Sequence, residues 1–270
     1  MVLTIIISDP HRSPQVILSA QHSPILGALQ LHLEVLVNRI LNEFKVQAIV
    51  GKPSVAYRQT ISRKVEVVGR HVKQSGGHGQ FAVCKMIFEP CESNELVFDN
   101  KIIGGSIPRE YIPSVKKGIK SACVIGGELK FPFVNIRAEL FDGSFHEVDS
   151  SDMAFRMAGV LAFRQAVEKA RVVLLEPYMK LEVVVPADYL GDVVGDLNSR
   201  RVEVREIATE NHLRVIRGIV PLAGMFDYTT NLRSLTQGRG THTMEPSEYA
   251  PVPEQLALKV RAARLKVLGK

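Results

Sequence analysis

The sequence predicts an α+β protein of more than one domain, and three observations carry that reading. "FVNIRAEL" (133–140) alternates with the two-residue period of a half-buried strand: Val134, Ile136, Ala138 and Leu140 point one way, Asn135, Arg137 and Glu139 the other. The run "DMAFRMAGVLAFRQAVEKA" (152–170) is apolar around much of its circumference, which marks a central core helix. From Tyr178 onward, strand and helix patterns follow in the order β-α-β-β-α-β, the split-βαβ arrangement of ferredoxin-like domains.

Taken in order, residues 1–50 hold one clear helix, in which Leu33, Leu36, Val37, Ile40, Leu41 and Phe44 recur at helical spacing. "KVQAIV" behind it reads as a strand, and a short strand fits Val16–Leu18 among prolines and polar residues. One helix and two strands bury no core of their own, so this segment belongs to something larger, and residues 1–28 are expected to be loosely attached. Residues 51–175 form a second unit. "SVAYRQTI", "KVEVVGRHVK", "FAVCKMIFE" and "ELVFDNKII" read as strands. A helix follows from about Glu110, with Tyr111, Ile112, Val115 and Ile119 on one face and Pro113 tolerated in its first turn. After the 133–140 strand, Ser150, Ser151 or Asp152 caps the core helix. Residues 176–270 form the third unit. Met179, Leu181, Val183 and Val185 share one strand face, and Asp188 is placed to cap a helix carrying Leu190, Val193, Val194 and Leu197. "RVEVREIA" and "HLRVIRGIV" make a hairpin across "TEN". A helix over 224–237 ends at Gly238, "RGTHTM" is the last strand, and a short basic helix closes the chain.

The 270 residues are 46% hydrophobic and 23% charged, an ordinary globular balance, with a net charge of +6 that suits phosphate-bearing partners where it clusters. "RHVK", "VKKGIK", "NSRR" and "RAARLK" are the candidate clusters. No apolar run approaches the roughly 18 residues of a membrane span, and the start lacks a basic leader and cleavage site, so a cytoplasmic protein with no membrane partner is expected. Cys84, Cys91 and Cys123 lack CxxC spacing and read as reduced thiols. The histidines show no HxxxH or HxH spacing, so no metal site is expected. No GxxxxGK[ST] loop is present, and the glycine stretch at 75–81 lies between two strands, where a phosphate cradle would need a helix behind it. Ser144, His146 and Asp149 spell a hydrolase triad, but without a nucleophile elbow or oxyanion device no catalytic residue is assigned.

One placement stays unexplained by this reading: "GSFHEVDSS" (143–151) sets a histidine at the mouth of the core helix. "GKPSVAYRQTI", "GRHVKQSGGHGQF", "GGSIPREYIPSVKKGI", "DGSFHEVDSSDMAFRMAG", "VLLEP", "GDVVGDLNSRR" and "LRSLTQGRGTHTME" occur in the order found in elongation factor G, the ribosomal translocase, which the chain resembles from about Leu31 to about Pro253. The resemblance implies that 1–50 is the back half of the third domain, which is ferredoxin-like in the family. It implies that 51–175 is the elongated fourth domain with a left-handed β-α-β crossover, and 176–270 the ferredoxin-like fifth domain with a basic tail. The family's GTP-binding and β-barrel domains have no counterpart in this sequence, so no enzyme activity and no cofactor are expected here; GTP and magnesium belong to full-length members. "SAQHSPILGALQ" and Pro246 depart from the family pattern.

By the same resemblance His146, with Gly143, Ser144, Asp149 and Ser150 shaping its loop, enters the small-subunit decoding site beside messenger and transfer RNA. Ser75, Gly76, Gly77, His78, Gly79 and Gln80 match the neighbouring loop. The implied function is ribosome binding in translocation, with ribosomal RNA, tRNA and mRNA as partners and a separate GTPase half as a further one. Two alternatives stand beside it: a ribosome-protection or ribosome-associated RNA-binding protein without translocase activity, and the C-terminal half of a split GTPase. In the translocation reading, His146 is expected to matter for function and little for stability.

Overall fold

A computed structural model describes residues 5–7, 43, 48–50, 55–74 and 79–269. The helix expected at 33–44, the strand at Val16–Leu18 and the loose attachment of 1–28 lie outside these residues, apart from Ile5–Ile7 and Glu43. Ile5–Ile7 (β1) pairs antiparallel with Ala48–Val50 (β2). The reading of 45–50 as a strand includes β2, and β1 is not among the strands the sequence predicts.

By contact the chain divides into two units. One holds Tyr57–Leu175 together with Pro251–Lys270, so the closing basic segment joins this unit although the sequence groups it with 176–250. Its sheet has the order β4-β5-β7-β6, with β4 Val65–Lys73, β5 Gln80–Pro90, β6 Val97–Asn100 and β7 Ile136–Ser144. β4, β5 and β7 are antiparallel neighbours, while β6 runs parallel to β7 and reaches it through helix α1, Ile112–Ile125. Helix α2, Asp152–Lys169, supplies the central core: Ala154, Phe155, Ala158, Ala162, Phe163 and Ala166 are all buried. Phe163 meets Phe88 and Phe133 edge-on, at 5.9 and 5.2 Å between ring centroids. Small residues let α1 and α2 approach backbone to backbone. A Cβ on Gly118 would stand 2.1 Å from the Arg156 carbonyl oxygen, and one on Gly159 2.6 Å from that of Val115. β3, Arg58–Ile61, pairs with Val172–Leu175, the first residues of the long strand β8, Val172–Pro186. Helix α5, Glu254–Val267, ends the chain.

The other unit contains Glu176–Ala250. After β8 come α3 Leu190–Ser199, β9 Glu203–Glu210, β10 Leu213–Pro221, α4 Tyr228–Leu235 and β11 Thr241–Pro251, with sheet order β11-β8-β10-β9. That is the ferredoxin-like arrangement, and Met179, Leu181, Val183 and Val185 are buried in its core as their alternation requires. Three local expectations need correction. Asp188 caps nothing; it lies in a 3-10 turn, Ala187–Tyr189, and α3 starts at Leu190. The hairpin turns on Asn211 and His212, with Leu213 opposite Glu210 and Asn211 in the left-handed region at φ 55°. The helix expected from 224 begins at Tyr228, because Leu222–Met225 winds as a 3-10 turn and Asp227 (φ 61°) separates the two. Gly238 (φ 80°) terminates α4 as expected, its N–H donating to the Arg233 carbonyl at 2.8 Å.

Cys84 and Cys123 are buried and Cys91 half-buried, all as free thiols, and burial pushes Cys84 and Cys123 up to about 12, away from thiolate chemistry.

Candidate nucleic-acid interface

The 144–151 loop is set up by the end of β7. Lys85 pairs with Asp142 and Met86 with Leu140, so Phe141 is an extra residue on β7, a bulge just before the loop. Gly143 follows in a space no side chain would fit: a Cβ would meet the Val83 carbonyl at 2.4 Å and Ile107 at 2.5 Å. Ser144 is the last paired residue, opposite Val83. At the other end Ser151 caps α2, its hydroxyl accepting from the Ala154 N–H at 3.2 Å; of the three candidate caps this is the one used.

Between these anchors the backbone is tied to β5. The Phe81 N–H donates to the Asp149 carbonyl at 2.9 Å, and the Ser150 hydroxyl donates to the Phe81 carbonyl at 2.7 Å. The same hydroxyl accepts from the His146 N–H at 2.9 Å, and the Ser150 N–H returns to the His146 carbonyl at 3.1 Å. Asp149 reaches the neighbouring loop, its Oδ1 accepting from the Gly79 N–H at 3.0 Å. Gln80, at the start of β5, bonds the buried ring of His71 at 2.7 Å. Asp149, Ser150, Gly79, Gln80 and His146 are thereby brought together at one end of the unit. Ser75, Gly76, Gly77 and His78 lie outside the described residues.

The imidazole of His146 has a defined orientation. The backbone N–H groups of Val148 and Asp149 both point at Nδ1, at 3.3 Å each, so Nδ1 is an acceptor and the neutral ring carries its proton on Nε2. The Asp149 Oδ2 lies 3.5 Å from the same nitrogen. The Phe81 ring flanks it at 6.3 Å, and the His146 side chain is 55% exposed. Exposed apolar side chains include Phe145 and Val148 on the same loop, Met153 in the first turn of α2, and Ile103 on the loop after β6. Sequence reasoning missed these four, because isolated apolar residues in loops carry no periodic signal.

The field around the loop is mixed. Asp149 and Asp152 offset the positive N-terminal end of α2, with Asp152 accepting from the Ser114 hydroxyl at 2.5 Å. Lys85 is paired with Asp142 at 2.8 Å; the bond holds the lysine above its usual pKa and the carboxyl below its own. Exposed cations lie on the flanking elements: Arg70 and Lys73 on β4, and Lys116, Lys117 and Lys120 on α1. Among the described residues no group of three or more His, Cys, Asp or Glu side chains could hold a metal, and no helix is long and apolar enough to cross a membrane.

The described residues thus form a parallel β6–α1–β7 unit with a braced histidine loop, followed by a ferredoxin-like unit. Residues 53–171 match the family model for elongation factor G, domain IV, and residues 173–260 match that for the elongation factor G C-terminus. The chain belongs to the elongation factor G family over these residues. Among solved structures it is similar to a protein from Thermus thermophilus, at 38% identity and a TM-score of 0.80 over 88% of this chain. The chain spans 36% of the length of that protein.

Proposed function

We propose that this chain is the ribosome-binding part of an elongation factor G-like translation factor. Its 144–151 loop enters the decoding site beside mRNA and tRNA during translocation, in the cytoplasm. One observation carries the reading: His146 is half-exposed, yet its ring is held by two backbone N–H groups and its loop is tied to β5. A ring already ordered gives up little conformational entropy on contact. Neutral imidazole stacks on an unpaired base, and Nε2–H is a donor for a phosphate or base oxygen. Because the two aspartates offset the helix end, attraction to RNA falls to the cations of β4 and α1, and that part of binding should weaken steeply with salt.

The chain's work in this reading is insertion, and no step runs through GTP or magnesium. The sequence has no loop to cradle phosphates, so hydrolysis comes from a separate GTPase half or domain. The test is ribosome pelleting of the chain across a salt series, with translocation measured after adding a complementing GTPase half. Pelleting with restored translocation supports the reading. Pelleting with no translocation under any complementation favours the ribosome-protection alternative, and absence of ribosome binding at low salt refutes both.

A further inference from the structure

His71 is a polar side chain in an apolar layer. The β4–β5 register sets Gly69 opposite Cys84, His71 opposite Ala82 and Lys73 opposite Gln80, so these positions share one face of the sheet. Helix α2 covers that face, since a Cβ on Gly69 would stand 2.2 Å from the Ala158 carbonyl oxygen. His71 is only 5% exposed there, whereas Gln80, where β5 begins, is exposed.

The two side chains meet across the diagonal between neighbouring pairs, which a glutamine is long enough to span. His71 Nε2 lies 2.7 Å from Gln80 Oε1. A carbonyl oxygen only accepts, so this ring nitrogen carries a proton and donates it. The amide is thereby fixed with its oxygen toward the ring and its NH2 group turned away from it. The strand end that carries the amide is itself tied to the His146 loop on both sides: the Gly79 N–H donates to the Asp149 carboxylate and the Phe81 N–H to the Asp149 carbonyl. His146 likewise keeps its proton on Nε2, because Nδ1 accepts from two backbone N–H groups. Two side chains on two joined loops therefore offer the same polarity, an N–H donor.

We propose that His71 is a positioning residue: it orients the Gln80 amide so that this end of the unit meets RNA with a second N–H donor, directed, like His146 Nε2–H, at a phosphate or base oxygen. The proposal rests on the ribosomal reading above. An amide already held by its oxygen gives up little freedom on contact and cannot turn its acceptor end to the RNA, whereas an unheld glutamine offers both ends and must be ordered first.

The experiment compares Gln80→Glu, His71→Leu and His71→Gln with His146→Ala in translocation with a complementing GTPase half, ribosome pelleting and thermal melts. A two-bond proton–nitrogen spectrum of the free chain reads the His71 ring. Gln80→Glu keeps an oxygen for the ring and replaces the NH2 group with a second oxygen, so translocation should fall about tenfold. His71→Leu releases the amide and should lower translocation about threefold. His71→Gln carries an N–H donor of similar reach and should recover most of the rate. Wild-type translocation by Gln80→Glu overturns the proposal, because it reduces Gln80 to a partner for a buried ring. A fall in His71→Gln as deep as in His71→Leu also overturns it, as does a His71 proton on Nδ1 alone, which would require the amide to face the other way. Should His71→Leu melt early, Gln80→Glu and the ring spectrum decide. Loss of translocation in His146→Ala beside a wild-type rate in Gln80→Glu sinks this inference and leaves the ribosomal reading standing. A wild-type rate in His146→Ala takes down that reading and this inference with it.

Discussion

Replacing His146 by alanine, asparagine and glutamine separates what the imidazole does for the loop from what it does for function. Alanine removes the acceptor for two backbone N–H groups at 3.3 Å each. Both bonds are long and the side chain is 55% exposed, so water takes over part of their role. About half a kcal/mol for each, or about 1 kcal/mol together, is the expected loss, which is a fall of about 2–4 °C in the melt of a domain this size. Sequence reasoning alone puts the loss lower, at about half a kcal/mol or less, because it credits the loop's shape to neighbouring residues; the two bonds to Nδ1 raise the figure. Asparagine places Oδ1 near the position of Nδ1 and should restore most of this stability. Glutamine reaches toward the position of Nε2 and should not. Translocation with a complementing GTPase half should fall at least tenfold in all three, since each lacks the ring, while ribosome pelleting changes little. Full translocation by His146→Asn would refute the assignment, reducing the histidine to a loop brace. A loss above about 3 kcal/mol in His146→Ala would make it a core residue.

Four further outcomes follow from the geometry. Arg201→Met should cost about 3 kcal/mol by chemical denaturation, because it strands the fully buried Glu176 carboxylate that Arg201 now holds at 2.8 and 3.0 Å. Gly118→Ala should destabilise the Tyr57–Leu175 unit by about 1–3 kcal/mol, since the new methyl would stand 2.1 Å from a backbone oxygen of α2 that has little room to yield. Burial, and then the Arg233 charge, hold His242 below its usual pKa, so the unfolded chain takes up a proton before the folded one does. Its contribution is therefore present above about pH 6.5 and lost as pH falls below it, and melts between pH 7 and pH 5 should drop less for His242→Gln than for wild type. Finally, the chain should bind no guanine nucleotide, and saturable GTP binding by calorimetry at micromolar nucleotide would contradict this.

Elements governed by local rules were legible in the sequence. The β7 alternation, Pro113 in the first turn of α1 and the Ser151 cap each rest on neighbours within four residues, and the structure keeps all three. What failed depended on partners distant in sequence. The sequence starts this strand at Tyr178, yet β8 begins at Val172 and runs through Glu176, which is neutralised by Arg201, 25 positions away. Asp188 has the chemistry of a cap, but the turn after Pro186 winds as 3-10 and moves the helix start past it. The bulge at Phe141 left no mark in the alternation ahead of it. At the candidate site His146 was legible through its motif, whereas Phe81, which fixes the loop, is separated from Asp149 and Ser150 by about seventy residues and bonds them mainly through its backbone. Side-chain patterns carry no record of such a partner.

The backbone tie to β5 also decides how the loop is positioned. Asp149 joins three elements at once: its carbonyl is bonded to β5, its carboxylate to the Gly79 N–H, and its own N–H to the His146 ring. A Cβ on Gly79 would meet the Asp149 carboxyl at 2.9 Å, so a side chain there would push that carboxyl from its place. Gly143, wedged between Val83 and Ile107, plays the corresponding part on the other side of the loop. The imidazole is therefore located by the β-sheet as well as by the helix it precedes. A helix cap alone would leave the ring free to swing with the first turn of α2. Anchoring the loop to β5 instead makes its position follow the sheet, whose central strands carry the fully buried Met86, Phe88 and Leu140. An exposed side chain held this way keeps its place without being buried, and that combination is what contact with a mobile RNA strand requires.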